Sequence, residues 1–302
     1  GPNVERAFLQ VASAGKNELF PPKTSGRLEM ARAIASKDNP LTARVFVNRA
    51  WGWHFGQGLV DTPSDFGING SRPTHPELLD FLANELVTHG WSLKHIHRLI
   101  LLSHAYRQSS AANADALKAD AGSRLLWRFP PRRVEAEVLR DSMLAVTGKL
   151  DFTMGGPGFD LFEPNDNYVK VYTTRAQYGP AEFRRMVYQS KPRTMLDDFF
   201  GTFDCPDAGQ PAPKRTSSTT PLQALNLLNS NFALQQAEFF AERLRKEAGE
   251  KPDAQVGRAF ALMFNRAPSA EETTESTALI TQHGLAAFCR ALFNANEFIR
   301  LD

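Results

Sequence analysis

The strongest constraint on this chain lies between Asp38 and Gln108, where three helices are marked out by their own caps. Asp38 or Asn39 can accept the first free N–H groups of the first helix, Pro40 suits its first position, and Gly56 ends it. At about 100° per residue, Leu41, Val45, Trp51 and Phe55 share a face, and Arg44 and Asn48 fall on that same face. Phe46, Ala50 and Trp53 cover the opposite side. A helix that is apolar on most sides is buried, so its polar groups need partners. An unpaired buried polar group costs roughly 1–3 kcal/mol. A structural network tying helix to loop is the leading reading of Arg44, Asn48 and the neighbouring Arg49; a ligand site is the sharper one.

The loop from Gly56 to Pro73 is dense in turn formers and carries Asp61, Ser64, Asp65 and Arg72. The carboxylates fit as partners for Arg44 and Arg49, which is the leading reading, or equally as a general acid–base pair or metal ligands. They lack the spacing of a calcium loop. Thr74-His75-Pro76-Glu77 reads as a capping box opening a second helix, which runs to about His89 and stops at Gly90. Ser92 caps the third, on which Leu93, Ile96, His97, Ile100, His104 and Arg107 share a face while His95 and Arg98 point away. His97 and His104 stand two turns apart, about 10 Å, too far to chelate one ion. No group of residues has metal-ligand spacing, so no metal is expected.

The segment N-P-L-T-A-R-V-F-V-N-R-A-W-G-W-H-F-G-Q-G-L-V resembles a planctomycete cytochrome-associated C-terminal domain family of unknown function, of the PSD-one type. So do P-P-R-R-V-E-A-E-V-L-R-D-S-M-L-A-V-T-G from Pro130, S-S-T-T-P-L-Q-A-L-N-L-L-N-S from Ser217 and N-A-N-E-F-I near the end. The resemblance implies a module of a large secreted or periplasmic protein whose c-type haem sits in a separate domain. It carries over no catalytic residue. The chain itself has no C-x-x-C-H, so no cofactor is expected here.

A net charge of +2 and the lack of a basic run with interleaved aromatics argue against nucleic acid. No apolar run approaches the roughly 20 residues of a membrane span. Gly1-Pro2 resembles the scar left by a tag-removing protease, so the natural N-terminus is expected to be missing. Cys289 lies in an apolar helix and reads as a packed thiol, with a disulfide to Cys205 left open.

Elsewhere, Val4–Ala12 and Gly26–Ser36 read as helices, and residues 109–124 as a surface helix or linker. Val134 to Thr147 reads as a helix stopped by Gly148. Asp141 lies among its apolar positions and needs a cation, for which Arg44, Arg49 and Arg107 are the candidates. Arg132, Arg133 and Glu135 read as solvated charges. Met154–Phe159 is Gly-rich but lacks the context of a phosphate loop. Tyr168–Tyr172 and Arg185–Gln189 alternate like strands and are expected to pair in a small antiparallel sheet. The aromatics around them, among them Phe162, Tyr172 and Tyr188, read as packing first and a sugar-stacking platform second. Arg215, Thr219 and Thr220 precede a helix opened by Pro221 and make a candidate anion site, with plain capping as the leading role. Four further helices follow to about Arg300.

The expected fold is mainly α, a multi-helix bundle with one small antiparallel β-sheet. Residues 1–150 form a helical half with a candidate polar centre, 151–215 a Gly- and Pro-rich segment with the sheet, and 216–302 a helical bundle, with a soft boundary near 150. The first function expected is an accessory or substrate-binding module, its partners being other domains of the parent protein and a glycan or acidic ligand. Candidate binding residues are Arg44, Asn48, Arg49, Trp51, Arg107, Arg215, Thr219 and Thr220. The second is a carbohydrate-active enzyme using Asp61, Asp65, His75, His97, His104 and Asp141. The third is a purely architectural domain.

Overall fold

Most of the helix signals in the sequence are realised, with shifts where a nearby residue makes a better cap. The structure, a computed structural model, describes every residue except Pro2, Asn3, Asn17, Pro164, Asn167, Val169, Lys170, Thr194, Asp207, Ala208 and Asp302. The chain divides into two units, Gly1–Pro131 and Arg132–Leu301. Among the described residues the fold is mainly helical, with one two-stranded antiparallel sheet. No described helix is long and apolar enough to cross a membrane.

The first unit holds α1 (Arg27–Ile34), α2 (Thr42–Phe55), α3 (Pro76–Thr88), α4 (Leu93–Leu102), α5 (His104–Arg107) and α6 (Ala114–Ala119). The expected helix over Val4–Ala12 is only a 3-10 turn at Gln10–Ala12, because Ala7 instead bridges Leu19. α2 begins at Thr42, two residues after Pro40, and Asn39 Oδ1 accepts from the Leu41 and Thr42 N–H groups at 2.9 and 3.3 Å. Its core face sets Val47, Ala50, Trp51 and Phe55 against Leu79, Leu82 and Leu86 of α3 and Ile96 and Ile100 of α4. Trp51 stacks on Phe55 with ring centroids 4.2 Å apart. The cap of α3 is His75 rather than Thr74, whose hydroxyl turns to the His75 ring at 2.9 Å.

The third predicted helix breaks in two. Ser103 takes an extended ψ of 152° and caps a new short helix, accepting from the Tyr106 N–H at 3.2 Å. The break shifts the helical phase, so His104 and Arg107 leave the face of Ile96 and Ile100 and are exposed.

The second unit holds α7 (Ala136–Thr147), α8 (Asp198–Thr202), α9 (Pro221–Asn229), α10 (Asn231–Ala248), α11 (Pro252–Met263), α12 (Ala270–His283), α13 (Leu285–Phe293) and α14 (Asn296–Ile299). α10 is its axis. Phe232, Gln236, Phe240 and Leu244 recur every fourth residue, and Ala233, Ala237 and Ala241 fill the row beside them. Small residues there let other helices approach closely, among them α13, whose Phe288, Cys289 and Phe293 join the same core. Both cysteines are free thiols.

The sheet is not where alternation placed it. It pairs β1 (Arg132–Arg133) with β2 (Arg300–Leu301). Arg185–Gln189 is instead a 3-10 turn over Met186–Tyr188, tied to Phe159 by a single parallel bridge to Gln189. Two residues of the other expected strand, Val169 and Lys170, lie outside the described residues. Asp141 also has a different partner from those expected. Its carboxylate accepts the Met186 N–H at 2.9 Å, and its cation is the adjacent Arg140, at 3.4 Å.

Candidate functional site

In the first unit, Asn48 is the one residue of the expected polar centre that is fully buried. Its side chain is fully buried and copies a strand's hydrogen bonding, donating to Val60 O at 3.0 Å and accepting from Val60 N at 2.8 Å. Gly58 is required beside it, since a Cβ there would lie 2.7 Å from the Asn48 amide nitrogen. Arg44 is not buried; it pairs with Asp80 at 2.6 Å near the surface. Arg49 is exposed, and Trp51 is buried packing.

The histidines and aspartates proposed as an enzyme site go to separate partners. Asp61 accepts from Gln57 at 2.6 Å, and Asp65 from the Gly67 N–H at 2.9 Å within its own turn. His75 meets Thr74, and His97 meets His54 with 2.6 Å between ring nitrogens. A cavity lined by Trp51, Thr74 and Arg124 has a volume of about 30 Å³ and none of these histidines in its wall. That space suits a single water.

The second unit has a larger cavity, about 340 Å³, and one residue of its lining, Lys191, lies 3.4 Å from Glu137 of α7. Glu137, Arg140 and Asp141 lie in the first two turns of α7, with Glu137 three and four residues before the other two, and Arg133 lies in β1 just before the helix. Arg140 is 2% exposed. Its guanidinium donates to the carbonyls of Glu182 and Arg184 and stands over the rings of Phe159 and Phe232. Burial pushes its pKa down to about 10, against the pull of Asp141, so it remains charged at neutral pH. Burial likewise raises the carboxyls of Asp141 and Asp197. Arg140 therefore pins the loop of residues 151–190 to the helix.

That loop forms the cavity wall. Glu163 N–H donates to Thr173 O at 2.8 Å and Arg175 N–H to Leu161 O at 2.9 Å, a short antiparallel clasp. Asp160, Glu163, Arg175 and Lys191 line the cavity together with Phe162 and Tyr172. Phe162 is buried and meets the half-buried Tyr172 edge to face at 5.2 Å. Arg175 lies 4.0 Å from both Glu163 and Glu182. Of the other aromatics in this part of the chain, Phe159, Tyr178 and Phe183 are core, and Tyr188 packs under Arg184.

Behind Lys191 sits a second set of charges. Its ammonium is 3.0 Å from Cys205 Sγ and 3.4 Å from Glu137. Glu137 in turn holds Arg215 through both carboxylate oxygens, at 2.7 and 2.9 Å. Burial alone would raise the Glu137 carboxyl, but the Arg215 hydrogen bonds, its own backbone and the charges of Arg215 and Lys191 bring it down to about 2. Arg215 is thus already neutralised, with Glu135 a further 3.4 Å neighbour. Thr219 is exposed and Thr220 caps α9. Arg215 is therefore committed to Glu137, and Thr220 stands at the cap of α9. Arg133, expected to be solvated, is buried and pairs with Asp204 at 2.6 Å. Asp204 also accepts from Ser218, which docks the segment between Arg215 and α9.

Sequence reasoning missed Asp160, Glu163, Arg175, Lys191 and Glu137. The signal for Glu137 was present in its spacing, three and four residues before Arg140 and Asp141 on α7. The others sit in irregular loop, where no period marks them.

Residues 26–280 match the model of a family described as PSD1, protein of unknown function (DUF1553). No curated protein and no solved structure matches the chain.

Proposed function

The chain belongs to the PSD1 family (DUF1553), whose function is unknown, and from that premise we propose that it is a glycan-binding accessory module. In this reading it serves a secreted or periplasmic multidomain protein whose c-type haem lies in another domain. The observation that carries the proposal is the cavity of the second unit, which Asp160, Glu163, Arg175 and Lys191 line together with Tyr172. Its volume of about 340 Å³ falls within the range of small-ligand sites.

The wall chemistry selects among ligands. Two carboxylates accept hydroxyl protons, and two cations donate to hydroxyl and ring oxygens. A sugar offers both kinds of partner at close spacing. Its C–H face suits the ring of Tyr172, whose flat surface is apolar. Among the described residues, charges of both signs line the wall in equal number, which favours a neutral sugar over a sulfated one. Arg215 cannot tip that balance, because Glu137 already holds it.

The experiment is a binding screen of the chain against neutral and sulfated hexose oligosaccharides, repeated with Tyr172→Ala. Binding of a neutral oligosaccharide, weakened tenfold or more in the variant, is the expected result. Failure of every neutral oligosaccharide, or binding that Tyr172→Ala leaves unchanged, overturns the proposal.

A further inference from the structure

We propose that Glu85, His89 and His95 form a binding site for a borderline divalent transition metal such as Zn²⁺, independent of the glycan cavity. The site comes from the turn between α3 and α4. Glu85 is in the last turn of α3 and His89 is its C-cap, one turn further on. Gly90 and Trp91 both adopt left-handed φ, 65° and 61°, and reverse the chain within two residues. Trp91 N–H closes the turn onto Leu86 O at 2.7 Å. Ser92 then starts α4, accepting from the His95 N–H at 3.3 Å, and this cap orients His95 back toward the end of α3.

The result is three donor groups in one place. His95 Nε2 is 2.6 Å from Glu85 Oε2, and His89 Nδ1 is 3.4 Å from the same oxygen. One ligand atom from each residue lies within 4.8 Å of the other two. Bonds of 2.0–2.1 Å in a tetrahedron set neighbouring ligand atoms about 3.3 Å apart, so the ion needs only small shifts of Glu85 and His95. His89 has to move further. Its ring lies stacked on that of His95, with centroids 3.8 Å apart and planes 15° from parallel, and two parallel imidazoles cannot aim lone pairs at one ion. His89 is the exposed member of the three, and to reach the ion its Nδ1 has to give up its contacts with Glu85 O at 3.0 Å and Thr88 Oγ1 at 3.3 Å as it leaves the stack.

The donor set decides the metal. Two neutral imidazoles and a carboxylate match zinc, cobalt, nickel or copper, whereas calcium and magnesium take oxygen ligands. Three protein ligands leave a fourth position for water or an outside donor. The bound ion clips the end of α3 to the start of α4.

The test uses the tag-free full chain. Zn²⁺ binding is measured by titration calorimetry, and Co²⁺ is added separately to read its visible d–d bands. One equivalent of Zn²⁺ and a Co²⁺ spectrum of low coordination number are expected. Affinity falls tenfold or more in His89→Ala, an exposed substitution that leaves the fold intact by circular dichroism, and likewise in His95→Ala. His104→Ala, which removes an exposed histidine on another helix, changes nothing. Absence of stoichiometric Zn²⁺ uptake, or uptake that survives both His89→Ala and His95→Ala, overturns the site.

Discussion

Glu137 and Arg215 face each other as a two-pronged ion pair, each carboxylate oxygen taking one guanidinium nitrogen at 2.7 and 2.9 Å. The pair ties the segment before α9 to α7, and Glu137 also lies 3.4 Å from Lys191. It also carries a pH signature. The Glu137 carboxyl is held at about 2, below the ordinary 4.5, so the folded state binds its proton more weakly than the unfolded chain does. Its contribution is complete above about pH 4.5 and is lost as pH falls through 2. With Arg215 about one-third open to solvent, the expected size is about 1–2 kcal/mol. Denaturant melts between pH 5 and 2 check this: Glu137→Gln flattens the acid loss of stability relative to the parent chain.

Asn48 is the one fully buried polar side chain of α2, and both of its bonds go to Val60. Asn48→Leu leaves the Val60 N–H and C=O without partners, and is expected to destabilise the chain by about 2–4 kcal/mol. Gly58→Ala does comparable damage, because its methyl would collide with the Asn48 amide. Arg44→Ala costs less than about 1 kcal/mol, since its pair with Asp80 lies at the surface. Urea titrations of the three variants give this order.

Arg140 ties α7 to the loop that walls the cavity. Arg140→Met strands the carbonyls of Glu182 and Arg184 and the carboxylate of Asp141, with an expected loss of about 3–5 kcal/mol. Asp141→Ala is the finer probe. It frees the Met186 N–H, now held at 2.9 Å, and hydrogen exchange at that amide is expected to accelerate while the α10 amides stay protected.

The helices were legible because their signals are local. Gly56, Gly148, Ser92 and Pro221 act on chain within a few residues, and the structure uses each of them. Errors arose where the deciding partner was distant. The alternation at Arg185–Gln189 imitates a strand, but the Met186 N–H is taken by Asp141 and no ladder forms. The face expected to join His97 and His104 was broken by one residue, Ser103. Arg133 resembled a solvated charge because nothing nearby foretells Asp204, which reaches it from seventy-one positions along the chain. The cavity was illegible for the same reason, its charges coming from loop segments without period. The Glu85, His89 and His95 group escaped notice because its ligands span a helix end, a tight turn and the next helix.

The central claim is that ligand enters among Asp160, Glu163, Arg175 and Tyr172, and that Arg215 serves structure alone. Comparing the affinity of Arg175→Ala and Arg215→Ala for the same neutral oligosaccharide tests it most directly. The account predicts at least a tenfold loss for Arg175→Ala and near-parental affinity for folded Arg215→Ala. Full affinity in Arg175→Ala together with lost binding in folded Arg215→Ala would contradict it.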